Sequence, residues 1–239
     1  MTMLRVENLS KRFGGLLANN DISFELDEGR ILGVIGPNGA GKSTLFDLIT
    51  GYQLPDSGEV HFAGKQLRGM RPDQINRLGV GRTFQKLKPF TDMTVEENVM
   101  VGAMQHTPRP TAARRLALET LEFVGLLEMR RHHGQALSTG QRKRLELARA
   151  MATRPRLLLM DEVTGGVDQR TLPGLIGLVE RLKNEGMTLV IIEHNMQVLM
   201  SLADDILALH LGRKIAQGPP AVIQNNEQVI ESYLGGAYA

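Results

Sequence analysis

The sequence contains no cysteine. Disulfide staples and thiolate metal sites are thereby excluded, and the composition fits a reducing compartment. Long apolar runs are missing too: nothing approaches the ~18–20 consecutive apolar residues of a membrane-spanning helix. The opening Met1-Thr2-Met3-Leu4-Arg5-Val6-Glu7 lacks the apolar segment of a secretory signal. A soluble chain that reaches a membrane only through partners is expected. Charge of one sign is not in excess either, because 28 Lys+Arg against 26 Asp+Glu leave a net +2. A nucleic-acid-binding face usually shows as a clustered basic stripe, and none is seen. Two short basic clusters, Arg130-Arg131-His132-His133 and Arg142-Lys143-Arg144, have no aromatic residues interleaved and read as solvated helix ends and faces.

What is present suffices for a large core. Hydrophobic residues are 42% and charged residues 23% of 239, which suits one large domain, or one domain with a subdomain, without long disordered stretches. Short apolar runs alternate with helical stretches, the pattern of an α/β domain with parallel strands. Ile22, Phe24 and Leu26 alternate with polar residues, as in a half-buried antiparallel strand. Ile31–Ile35, Leu157–Met160 and Thr188–Ile192 are continuously apolar, as strands buried on both faces are.

Between the first and second of these runs lies a long, helical insertion. Thr94-Val95-Glu96-Glu97 has capping-box spacing, with Thr94 as N-cap. A second helix is expected from Ala112 to about Arg130, with Leu118, Leu121 and Val124 on one face and a loop over Thr107–Thr111 before it. Residues ~86–137 therefore read as a helical subdomain. Near the C-terminus, Ile206–Leu211 and Lys214–Gln217 flank Gly212-Arg213 as in a hairpin, and one helix is expected over Ala221–Leu234.

Three segments carry chemistry. Gly36-Pro37-Asn38-Gly39-Ala40-Gly41-Lys42-Ser43 fits G-x-x-x-x-G-K-[ST] between a predicted strand and a predicted helix, Thr44–Thr50. Glycines let backbone N–H groups turn inward around phosphates, and the helix adds its positive N-terminus. Lys42 is then placed for the β- and γ-phosphates and Ser43 for Mg²⁺. Asp161-Glu162 ends the run Leu157–Met160. An apolar run ending in two acids could as well be a strand meeting solvent. With a P-loop upstream it reads as a Mg²⁺-holding acid, Asp161, followed by a water-activating one, Glu162. Leu137-Ser138-Thr139-Gly140-Gln141 opens a helical stretch; alone it is an ordinary capped helix start, and in this company an anion site.

The order of the P-loop, Gln85, Leu-Ser-Thr-Gly-Gln, Asp161-Glu162, Asp168 and His194 resembles that of ABC ATPase domains over nearly the whole chain. The resemblance implies a P-loop fold with a parallel-sheet, RecA-like core (1–85 and 138–239), an N-terminal antiparallel β subdomain and the helical subdomain. It also implies roles. Phe13 would stack on adenine, its alternative being a core residue. Gly36–Ser43 with Thr44 would cradle the phosphates. Gln85 would contact Mg²⁺ and the attacking water, and His194 the γ-phosphate. Asp168 would act across a dimer interface, while Ser138, Gly140 and Gln141 would complete the partner's site. Thr139, Val163, Val167 and Gln169 depart from the family pattern without removing a catalytic group.

Gly79–Gln85, Met93–Val99, Leu145–Ala150, Glu193–Met196 and Val229–Gly235 are similar to the ATPases of branched-chain (hydrophobic) amino acid importers. This likeness implies ATP and Mg²⁺ as ligands, a second ABC ATPase subunit, two transmembrane permease subunits and, indirectly, a solute-binding protein, with no nucleic acid. It places the chain on the cytoplasmic side of the inner membrane, held through the permeases. Lipopolysaccharide-export ATPases share some of these features, and a soluble ATPase of the iron–sulfur cluster assembly type is the alternative of a different class.

Overall fold

The computed structural model describes residues 1–84 and 89–234. Its strands are β1 (Thr2–Phe13), β2 (Leu16–Asp27), β3 (Ile31–Ile35), β4 (Ser57–Phe62), β5 (Lys65–Gln66), β6 (Val80–Arg82), β7 (Leu157–Asp161), β8 (Thr188–Ile192), β9 (Asp205–His210) and β10 (Arg213–Gly218). Its α-helices are α1 (Lys42–Ile49), α2 (Pro72–Leu78), α3 (Val95–Ala103), α4 (Pro110–Phe123), α5 (Thr139–Met151), α6 (Leu172–Asn184), α7 (Met196–Leu202), α8 (Pro220–Ile223) and α9 (Glu227–Leu234). They build two sheets. One is antiparallel in the order β2-β1-β4-β5; the other runs β10-β9-β3-β8-β7-β6 and is parallel except for its edge strand β10.

The three continuously apolar runs are the centre of the parallel sheet, as their composition predicts. Every residue of β3, β7 and β8 is buried. Side chains alternate between two apolar layers. Ile31, Leu158, Met160, Leu189 and Ile191 join the layer packed by α3–α7, whereas Leu32, Val34, Leu157, Leu159 and Val190 join the layer shared with α1 and the antiparallel sheet. Burying such a side chain contributes ~1.5–3 kcal/mol, and because both layers are close-packed, a one-residue slip would misfit the side chains in each. Ile22, Phe24 and Leu26 face the second layer from β2, as expected.

The helical insertion differs in detail. α4 begins at Pro110, where a proline's missing N–H costs nothing, and stops at Phe123 before Gly125, which takes φ +71°. Its buried stripe is Ala113, Ala117, Leu121 and the following Val124, and Leu118 is only half-buried. The Thr94 capping box forms as predicted: Thr94 Oγ1 accepts from Glu97 N at 3.2 Å and Thr94 N donates to Glu97 Oε2 at 2.8 Å. Buried Asn98 accepts from Phe90 N and donates to the carbonyls of Phe90, Met93 and Thr94, fixing the approach to the helix.

Three further expectations are corrected. The hairpin turns at Leu211-Gly212, with φ of +46° and +76°, one residue earlier than predicted, because the register pairs Arg213 with His210. The last helix is two, since Asn226 Oδ1 accepts from Val229 N and starts α9 afresh. The triplet Arg142-Lys143-Arg144 is not a solvated face: the three side chains donate to the carbonyls of Gln135, Glu162 and Val124, and Lys143 is buried. Arg131, His132 and His133, by contrast, are exposed as expected.

Thr94→Ala removes the cap of α3. It is expected to cost ~1 kcal/mol and to lower the calorimetric Tm by ~2–4 °C. A shift below about half a degree would mean that the cap does not hold this helix.

Candidate active site

The strand β3 runs into the P-loop, and sterics explain the glycines there. Gly36 has φ +152°, and a Cβ on it would lie 2.3 Å from the Leu209 carbonyl oxygen of the neighbouring strand β9. At Gly41, φ +97°, a Cβ would lie 2.2 Å from the Ala18 oxygen on β2. The loop is thus wedged between both sheets. Gly41 is also the N-cap of α1, and no side chain caps it, which leaves the first-turn N–H groups available to an anion. α1 starts at Lys42, two residues before the predicted Thr44. The loop is cross-tied by Ala40 N to Pro37 O at 3.1 Å, Gly212 N to Ala40 O at 3.2 Å and Asn19 Nδ2 to Gly41 O at 3.2 Å.

Lys42 arches back over this loop, its Nζ donating to Gly36 O at 2.6 Å and Pro37 O at 3.0 Å. Burial pulls the Lys42 ammonium below its ordinary range, opposed by the nearby Asp161 and Glu162 carboxylates. Asp161, the last residue of β7, is 3% exposed, and its N–H donates to Thr83 Oγ1 at 3.2 Å. Burial raises its pKa above the usual carboxylate range, while Arg82, Lys143 and Lys42 pull it down. Ser43 and Asp161 line one cavity, so a hydroxyl and a carboxylate oxygen are available together, the donor type that Mg²⁺ prefers.

Glu162 leaves β7 with φ +52°, in the left-handed region that a residue with a Cβ seldom occupies. Its N–H donates to Ile192 O at 2.9 Å on β8, and its Oε1 lies 2.9 Å from His194 Nε2. The predicted pair is therefore brought together at the ends of adjacent strands. Between them, buried Glu193 grips the loop after β7, accepting from Thr164 N at 2.6 Å and from Thr164 Oγ1 at 2.8 Å. Val163, where the family commonly has proline, is buried beside this clasp.

The signature pentapeptide forms a second capping box. Ser138 Oγ accepts from Gln141 N at 3.3 Å, and Ser138 N donates to Gln141 Oε1 at 2.9 Å. A Cβ at Gly140 would sit 2.4 Å from Thr171 Cγ2, so the pentapeptide packs on the loop that Asp168 organises. Hydrogen bonds from Thr171 and Arg170 to the Asp168 carboxylate hold it below the usual carboxylate range. Among the described residues, no hydrogen bond joins residues 138–141 to the P-loop at 36–44, so these two predicted halves stay separate within the chain. Phe13, at the end of β1, is 44% exposed with Lys11 Nζ 5.4 Å from its ring centre, which removes the core alternative. Gln85 lies outside the described residues.

Several contributors escaped sequence reasoning. Arg82, which pairs with Asp47 at 2.6 Å, lay in the Gly79–Gln85 segment matched by resemblance, but no role was read for it. Lys143 was hidden in a basic cluster, and Glu193 beside a more conspicuous histidine. Tyr233, in the tail segment matched only by resemblance, offers its hydroxyl oxygen to Gly36 N at 2.8 Å.

Comparison with known proteins agrees with this geometry. The family model described as ABC transporter matches residues 19–165, and that described as Branched-chain amino acid ATP-binding cassette transporter matches residues 213–239. The chain is 38% identical to the high-affinity branched-chain amino acid transport ATP-binding protein BraF of Pseudomonas aeruginosa, covering 98% of both chains. It is 39% identical to the corresponding LivG protein of Escherichia coli, again over 98% of both. Among solved structures, the ADP conformation of MJ1267, an ATP-binding cassette of an ABC transporter, superposes with a TM-score of 0.89 at 32% identity over 98% of this chain and 99% of that one. The dimeric post-hydrolysis state of the cassette MJ0796, bound to ADP and Pi, gives 0.83 at 26% identity over 91% and 99%. Carrying the P-loop, the acidic strand end and the signature pentapeptide within a fold matched along nearly its full length, the chain belongs to the ABC transporter family as one of its ATP-binding cassettes.

Proposed function

We propose that this cassette hydrolyses ATP to drive an importer of branched-chain or other hydrophobic amino acids. The observation that carries the enzymatic half is the Glu162–His194 pair at 2.9 Å, held at the strand ends beside Lys42 and Asp161. The solute is inferred from the names of the curated relatives and from the tail match over 213–239, which also favour an importer over a cluster-assembly or lipopolysaccharide-export role.

In this reading Phe13 supports the adenine, and residues 36–44 bind the phosphates. Ser43, Asp161 and Gln85 would hold Mg²⁺, which when bound neutralises charge on the β- and γ-phosphates. Glu162 orients a water and accepts its proton as the water oxygen attacks the γ-phosphorus; the bond to the bridging oxygen breaks and ADP leaves. His194 would hold the γ-phosphate and steadies the Glu162 carboxylate. Ser138 and Gly140 act on the nucleotide of a second cassette, which is why they lie apart from their own P-loop. Two such cassettes would close on ATP beneath two transmembrane permeases at the cytoplasmic face of the inner membrane, supplied by a solute-binding protein.

Residues 1–85 and 138–239 would form the nucleotide-binding core, and about 86–137 the helical subdomain that couples to the permeases. A cavity of about 670 Å³ supports this division, because Phe90, Val101 and Gly102 from the helical side line it together with Ser43, Phe84, Glu146 and Asp161 from the core. Glu146 accepts a hydrogen bond from Phe84 N, and burial raises its pKa to about 7. A permease segment seated there would sense the nucleotide directly.

Two measurements test these points. A tagged Glu162→Gln chain, extracted gently from membranes with ATP, is expected to bring down two multi-spanning permeases and a second cassette while releasing phosphate at least ~10²-fold more slowly than wild type. Only soluble partners, or near-normal turnover, would contradict the proposal. The second concerns Glu146. The unfolded chain ionises this group near its ordinary 4.5, whereas the fold keeps its proton to about 7. The fold binds the extra proton in that window, so wild-type stability falls as pH rises through it and levels off above. Glu146→Gln lacks this dependence. In urea unfolding, its stability relative to wild type is expected to rise by on the order of 2–3 kcal/mol between about pH 5 and 8. A difference independent of pH would show that Glu146 titrates normally.

A further inference from the structure

The backbone of Glu162 is held from two sides. A left-handed φ of +52° at a residue bearing a Cβ persists only where neighbours enforce it. On one side the Glu162 N–H donates to Ile192 O at 2.9 Å, tying it to β8. On the other, the Glu162 carbonyl accepts from Lys143 Nζ at 2.5 Å. Lys143 is 6% exposed, which is unusual for a lysine, and its ammonium lies within electrostatic reach of Asp161 and Glu146. An ammonium kept out of water is costly unless it donates hydrogen bonds and faces negative charge. Here it does both, at the acidic end of β7.

The origin of that ammonium matters as much as its target. Lys143 stands on α5, one turn beyond Thr139 and on the same face. The first turn of α5 is the one capped by Ser138 and packed through Gly140 on Thr171. A single stiff helix therefore bears the anion-binding turn at its start and a strut to the Glu162 backbone one turn later.

We propose that Lys143 is a positioning residue that sets the Glu162 backbone from the signature helix. When Ser138 and Gly140 grip the partner's nucleotide, the displacement of α5 reaches Glu162 of the same chain through the Lys143 ammonium. Each chain thereby links the two composite sites of a pair. The inference rests on the assignment of Glu162 as the water-activating group. Lys143 acts through the Glu162 carbonyl.

The test uses the full-length chain and compares wild type, Glu162→Gln, Lys143→Met and Lys143→Arg. Methionine keeps an unbranched apolar stem and removes the donor with its charge, while arginine restores both at similar reach. Steady-state phosphate release against ATP concentration is expected to show kcat lowered by about tenfold or more in Lys143→Met, with KM changed by less than about twofold. The Hill coefficient for ATP should fall towards one in the same variant. Lys143→Arg should recover at least about a third of the lost rate. Hydrogen exchange of the amides at 160–166 should quicken in Lys143→Met, with β3 and β8 unchanged. A wild-type kcat in Lys143→Met, equal losses in both substitutions, or faster exchange throughout the sheet would each overturn the proposal, the last by reducing Lys143 to a stability role. Normal turnover in Glu162→Gln would instead sink the assignment beneath it.

Discussion

Val34 on β3 lies beside Ile192 on β8, and Ile192 lies beside Asp161 on β7. Three chain segments therefore leave the parallel sheet at one level: Gly36 into the P-loop, Asp161-Glu162 into the acidic turn, and Glu193-His194 into the loop beyond β8. Nothing local to any of these segments brings them together. Their juxtaposition follows from a register set by two apolar layers that each strand feeds alternately. A candidate nucleotide site distributed over about 160 positions of sequence is, physically, a consequence of how valines, leucines and isoleucines pack.

Against this rigid base the site concentrates features that folding alone would avoid. Glu162 adopts a disfavoured backbone conformation, Lys42 and Lys143 carry buried ammonium groups, and Asp161 is a buried acid. Each is compensated by specific contacts. Lys42 and Lys143 donate to carbonyls, Asp161 faces cations, and the turn after β7 is clasped by Glu193. Such costs persist where surrounding structure over-determines them, and they mark where chemistry is expected.

Much of this was legible in the sequence, for identifiable reasons. The P-loop could be read because Gly36 and Gly41 have no room for a side chain. The central strands stood out because burial on both faces leaves no polar position. The capping boxes at Thr94 and Ser138 are local, and both formed as read. What escaped depends on distant partners. β1 pairs with both β2 and β4 through repeated register shifts, which break any clean alternation. The end of α4 is set by Gly125 rather than by its apolar period, and α9 restarts at a local asparagine cap. Lys143 looks like any surface lysine until β7 is placed beneath α5.

The central claim is that one chain contributes two halves of different sites: residues 36–44 with Glu162 in one, and Ser138 with Gly140 in the other. Mixing two inactive variants tests it most directly. Lys42→Ala lacks a working P-loop, and Ser138→Arg lacks a working signature turn. Random pairing makes half the dimers hybrid, each with one doubly damaged and one intact site. If the halves act in trans, each variant alone is inert, and an equimolar mixture recovers up to about a quarter of wild-type phosphate release. A mixture as inert as its components, or a Ser138→Arg chain that hydrolyses ATP normally alone, would contradict the account.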